Sequence, residues 1–63
     1  MISKLAQVSE MAQIGEDVIV EPFSYIAGDV VIGSGCHIGP GAVILDGARI
    51  GKNCKIHTSA VVA

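Results

Sequence analysis

Tryptophan is absent from this 63-residue chain, and Phe23 and Tyr25 are its only aromatic residues. Any core must therefore be assembled from small aliphatic groups. Two cysteines are too few for a disulfide framework. Lysine and arginine total four against six acidic residues, a net charge of −2, which argues against a nucleic-acid footprint. No apolar run approaches about 18 residues, so no membrane span is expected. The opening stretch MISKLAQVSEMAQIG interleaves polar with apolar side chains and lacks the apolar centre of a secretory signal. Disorder is excluded from the other side, because 51% of the residues are hydrophobic. The length allows one small domain.

What the chain does have is a repeat. Stepping by six from Ile2 gives Val8, Ile14, Val20, Ile26, Ile32, Ile38, Ile44, Ile50, Ile56 and Val62, without one exception. Four residues after each lies a small residue: Ala6, Ala12, Val18, Ser24, Val30, Cys36, Ala42, Ala48, Cys54 and Ala60. Across each hexad boundary the small and the β-branched position are two apart, which is the strand period. A helix would rotate the side chain by about 240° over six residues and scatter the column.

Three hexads make a second period. Gly15, Gly33 and Gly51 align, as do Pro22 with Pro40 and Cys36 with Cys54. Asp17, Gly35 and Asn53 form a column of types that tolerate positive φ. The spacing predicts a triangular coil with three short strands and three corners, Gly, Asp and Asn serving left-handed corners and Pro22 and Pro40 another. The expected fold is all-β, a parallel β-helix of about three and a half coils over residues 1–63. Its narrow interior is filled by stacked Ile, Val, Ala and Cys, with Phe23 and Tyr25 outside or at a corner. Periodicity does not fix the handedness.

The hexads Ile32-Gly33-Ser34-Gly35-Cys36-His37, Ile38-Gly39-Pro40-Gly41-Ala42-Val43 and Ile50-Gly51-Lys52-Asn53-Cys54-Lys55 resemble the hexapeptide-repeat acyltransferases. That resemblance covers the whole chain. It implies a left-handed β-helix, a homotrimer and transfer of acetyl or longer acyl groups. A narrower resemblance rests on Met1-Ile2-Ser3-Lys4-Leu5-Ala6, Glu21-Pro22-Phe23-Ser24-Tyr25-Ile26 and Asp46-Gly47-Ala48-Arg49-Ile50-Gly51-Lys52-Asn53. These are similar to the first coils of the UDP-N-acetylglucosamine O-acyltransferase family of lipid A synthesis. The resemblance implies a cytoplasmic enzyme that moves a 3-hydroxyacyl chain from acyl carrier protein to a UDP-sugar. It also implies that residues 1–63 are the N-terminal part of a longer β-helix. No position here matches the family's catalytic histidine, which lies in a later coil. No catalytic residue is therefore assigned, no substrate-binding residue is identified, and the isolated piece is expected to be inactive, without metal or cofactor.

Several side chains invite chemistry, and each also has a plainer role. His37 and His57 are 20 apart and share no column. Zinc catalysis needs three protein ligands, so two unaligned histidines favour surface imidazoles without catalytic duty. Cys36 and Cys54 stack in the small column and are expected to be buried thiols, with parallel Cβ vectors that discourage a disulfide. Arg49, Lys52 and Lys55 could form a landing site for phosphate or an acidic carrier protein, but a solvated face is the simpler expectation. The glycine pairs lack the Lys-Ser/Thr of a phosphate loop. A single threonine, Thr58, excludes the threonine ladders of ice-binding helices.

A solenoid end needs a cap. Ser3, Lys4, Gln7, Ser9 and Glu10 supply polar groups in the first coil, whereas Ser59-Ala60-Val61-Val62-Ala63 stops in a strand-like pattern. The chain alone is therefore expected to be insoluble, to stack end to end, or to pair its last edge with another chain. Two functions stay open: a piece of an acyltransferase and a non-catalytic β-helical assembly module. A metal-dependent lyase trails both.

Overall fold

Each hexad places its Ile or Val second in a two-residue strand. The computed structural model describes residues 1–63 and holds ten such strands: β1 (Gln7–Val8), β2 (Gln13–Ile14), β3 (Ile19–Val20), β4 (Tyr25–Ile26), β5 (Val31–Ile32), β6 (His37–Ile38), β7 (Val43–Ile44), β8 (Arg49–Ile50), β9 (Lys55–Ile56) and β10 (Val61–Val62). There is no helix. All pairing is parallel and one coil apart, as in Val8 with Ile26 and Ile26 with Ile44. The strands sort into three sheets, β1-β4-β7-β10, β2-β5-β8 and β3-β6-β9. This is the expected β-helix, with paired strands over about three turns.

The ladder is carried coil to coil by backbone bonds. The N–H groups of Gln7, Tyr25 and Val43 donate to the carbonyls of Ser24, Ala42 and Ala60 at 2.9, 2.8 and 2.8 Å. A continuous stack leaves few orphan polar groups: Ser24, 2% exposed, donates its hydroxyl to the Glu21 carbonyl at 2.8 Å, and no buried side-chain polar atom lacks a partner.

The core is the two columns. Val20, Ile26, Ile32, Ile38 and Ile44 are all at most 1% exposed, and Val18, Val30, Cys36, Ala42 and Ala48 pack beside them. The columns open at both ends. Ile2 is 48% exposed, and Val8, Ile14, Ile56 and Val62 are only half-buried. The side chain of an end residue has a neighbouring coil on one side only, so equal burial along the column does not hold.

Asp17, Gly35 and Asn53 take φ of 59°, 76° and 58°, the left-handed corner expected of them. A second left-handed column was not foreseen. Phe23, Gly41 and Ser59 take φ of 66°, 72° and 61°, each one residue after Pro22, Pro40 or Thr58. Proline followed by a positive φ is the dihedral pattern of a type II turn. At Gly33 coils meet so closely that an added Cβ would lie 2.7 Å from the backbone of Gly51 and Lys52.

The pleat leaves three outer ladders. Gln7, Tyr25, Val43 and Val61 line the first sheet, Gln13, Val31 and Arg49 the second, and Ile19, His37 and Lys55 the third. Tyr25 (39% exposed) and the corner residue Phe23 (73%) lie outside the core, as expected.

Candidate functional site

The side chains able to do chemistry are spread over the second and third outer faces. On the third face, His37 Nε2 lies 2.7 Å from Glu21 Oε2, with the two side chains 40% and 33% exposed. The pair follows from register. His37 is opposite Ile19 in β3, and Glu21 lies two residues further along that chain, the diagonal position on the same face. Lys55 is opposite His37 on the other side, in β9. His57 follows β9, is exposed, and stacks over Gly39. The two histidines therefore do not form one column, and no group of three or more His, Cys, Asp or Glu side chains is placed to hold a metal ion.

A carboxylate that orients an imidazole is one half of a general-base arrangement. The other half is a bound hydroxyl within reach, and the third face offers no enclosure for one. The recess in the molecule, about 430 Å³ and wide open, lies against the second sheet instead, where Met11, Gln13, Gly28, Asp29, Val31 and Arg49 line it.

Arg49 is committed to the corner beside that recess. Its Nη2 donates to Asp29 Oδ1 at 2.9 Å, and Nη1 donates to the carbonyls of Asp29 and Ala48, each at 3.0 Å. Asp46 closes the same corner by accepting the Asp29 N–H at 2.9 Å. Lys55 belongs to the third face, and Lys52 to the exposed turn between Arg49 and Lys55. The three cations adjacent in sequence are thus parted onto two faces and a corner, in line with solvated charges rather than one landing site.

The thiols differ from expectation. Cys36 is buried and donates Sγ–H to the Gly51 carbonyl at 2.9 Å, a small filler as predicted. Cys54 is free but exposed. It stands one coil above Cys36, in the last coil of the chain, where no further coil covers it. A buried role for both cysteines is corrected to one.

Comparison with known proteins adds what these scattered groups do not. Residues 11–46 and 35–63 match the family described as bacterial transferase hexapeptide (six repeats). Among solved structures the chain is similar to the Arabidopsis UDP-N-acetylglucosamine acyltransferase, at 27% identity and a TM-score of 0.59. The match covers 98% of this chain and 29% of that one, so this chain spans less than a third of the plant protein's length. No curated protein matches.

Proposed function

The chain belongs to the bacterial transferase hexapeptide family, and from that premise we propose that it is the N-terminal β-helical part of an acyltransferase. The reaction we assign to the whole enzyme is transfer of a 3-hydroxyacyl chain from acyl carrier protein to UDP-N-acetylglucosamine, the first step of lipid A synthesis. In that reaction the sugar hydroxyl attacks the thioester carbonyl, a general base accepts the hydroxyl proton, and the carrier thiol leaves. The similarity to a UDP-N-acetylglucosamine acyltransferase across 98% of the chain carries this reading. In the same reading the base is a histidine of a later coil, the enzyme is a cytoplasmic homotrimer, and residues 1–63 supply a stiff starting stack on which later coils continue in phase. The open third face around His37 and Glu21 is consistent with a base elsewhere.

The test is the product of the native gene incubated with 3-hydroxyacyl carrier protein and UDP-N-acetylglucosamine, read by mass spectrometry of the nucleotide sugar. Acylated sugar is expected from the native product and none from residues 1–63 alone. Turnover by residues 1–63 would place the base inside this chain, and absence of transfer from the native product would refute the reaction. A second reading, a β-helical assembly module without catalysis, draws on the apolar outer face of the first sheet.

A further inference from the structure

We infer that Glu21, His37 and His57 form a binding site for a divalent transition-metal ion, zinc by its donor set, on the third outer face around Gly39. The column at this edge of the face carries no side chain at its centre. The Glu21 N–H donates to the Ile38 carbonyl at 3.0 Å and the Gly39 N–H to the Ile56 carbonyl at 2.8 Å. The ladder of β3, β6 and β9 therefore runs one step past the strands, and Glu21, Gly39 and His57 stack in line. Two coils separate Glu21 from His57, about 9.6 Å at about 4.8 Å per coil. No side chain stands between them. A Cβ on Gly39 would lie 2.8 Å from the Ile56 carbonyl oxygen and 3.0 Å from the His57 carbonyl carbon, so any side chain there would force the backbone apart.

His37 borders this gap. It pairs with Ile19 on one side and Lys55 on the other, which makes Glu21 and His57 its two diagonal neighbours on the same face. Such neighbours lie about 7–8 Å apart between Cα atoms. The two histidines need no common column, because both flank the same glycine. His37 Nε2 is already 2.7 Å from Glu21 Oε2. Ligand atoms about 2.1 Å from a tetrahedral zinc ion lie about 3.4 Å from each other, so the pair opens by less than about 1 Å to admit the ion. His57 is the donor that stands apart in this arrangement. It is exposed, and rotation about χ1 carries its ring over Gly39.

The donor set fits one class of ion. Two imidazoles and a carboxylate suit zinc and its late first-row neighbours, whereas magnesium and calcium prefer oxygen throughout. Two histidines alone fall short of three protein ligands; the carboxylate completes the three and leaves the fourth position to water. The Glu21 charge offsets part of the ion's own, and Lys55, exposed on the far side of His37, turns to solvent. An ion held there ties three successive coils together. Such a site is independent of the proposed acyl transfer.

The experiment is calorimetric titration of the native gene product with zinc chloride near neutral pH, beside His37→Gln, His57→Gln and Lys55→Gln. The substituted side chains point out of the prism, so each variant should keep the wild-type far-UV circular dichroism. Wild type is expected to take up zinc at this site with a Kd on the order of micromolar, His37→Gln and His57→Gln to weaken that step by about tenfold or more, and Lys55→Gln to leave it within about threefold. Crystals of the wild-type protein grown with zinc chloride give a reading free of any variant: an anomalous peak at the zinc edge is expected about 2.0–2.1 Å from His37 Nε2. No zinc uptake at about 1 mM, a titration of His37→Gln or His57→Gln identical to wild type, loss of the step in Lys55→Gln, or an anomalous peak away from His37 would overturn the inference. Failure of acyl transfer would leave the zinc titration as expected.

Discussion

Truncating one residue of the Ile/Val column should cost an amount set by its place in the stack. Ile38 is completely buried and lies mid-column. Replacing it with alanine removes three carbons, about 2.4 kcal/mol at about 0.8 kcal/mol per buried methylene. The neighbours above and below are held by the strand ladder and cannot collapse fully into the gap, so a cavity contribution raises the loss to about 3–4 kcal/mol. A chain of 63 residues has roughly 3–9 kcal/mol of total stability, so Ile38→Ala approaches global unfolding. Ile2 begins the same column but is 48% exposed. Ile2→Ala loses about half the transfer free energy and leaves no enclosed void, about 1 kcal/mol. Ile56→Ala, half-buried in β9, falls between. The assay is urea unfolding followed by far-UV circular dichroism at one fixed protein concentration, comparing midpoints at equal slope. Equal losses for Ile2→Ala and Ile38→Ala would refute a one-dimensional stack with open ends.

Three further outcomes follow from local geometry. Gly33→Ala drives a methyl to 2.7 Å from the Gly51 and Lys52 backbone and should destabilise by about 1–3 kcal/mol, whereas Gly51→Ala meets nothing within 4 Å and should be neutral or slightly stabilising; thermal melts of the two variants separate them. Alkylation of the native chain, read by peptide mass mapping, should label Cys54 promptly and leave Cys36 protected until denaturant is added. Arg49→Ala should lower stability by no more than about 1 kcal/mol in a chemical melt, since its pair with Asp29 is solvent-exposed at 55% and 66%.

The fold was legible because a β-helix repeats its physics every six residues. Each Ile or Val faces the same environment as its predecessor, so the column appears in the sequence without reference to any distant contact. The Asp17, Gly35 and Asn53 corner was legible for the same reason. Phe23 was not, because phenylalanine carries no preference for positive φ; the signal was Gly41 exactly one coil later, directly after a second proline. The Glu21–His37 pair was missed because its members are 16 residues apart rather than 18. Columns mark residues stacked in line, whereas this pair is diagonal, and finding it requires both the register and the pleat. The separation of Arg49 from Lys55 was within reach, since a six-residue step moves the chain to the next face of the triangle. Cys54 misled because its column predicts an inward direction, and direction is not burial where the next coil is missing.

The functional residues are a different matter. Hexads specify the prism and its faces, and the groups that would activate a hydroxyl are not part of the repeat. Family membership therefore rests on the stack, while the reaction rests on similarity to a longer protein.

The intact mass of the product of the native gene, read together with its sequence past Ala63, tests the central claim most directly. The account predicts a mass several-fold above the 6.4 kDa of these residues, with hexads continuing in phase and a histidine supplied by a later coil. A product of 6.4 kDa would contradict it, and the assembly-module reading would take its place.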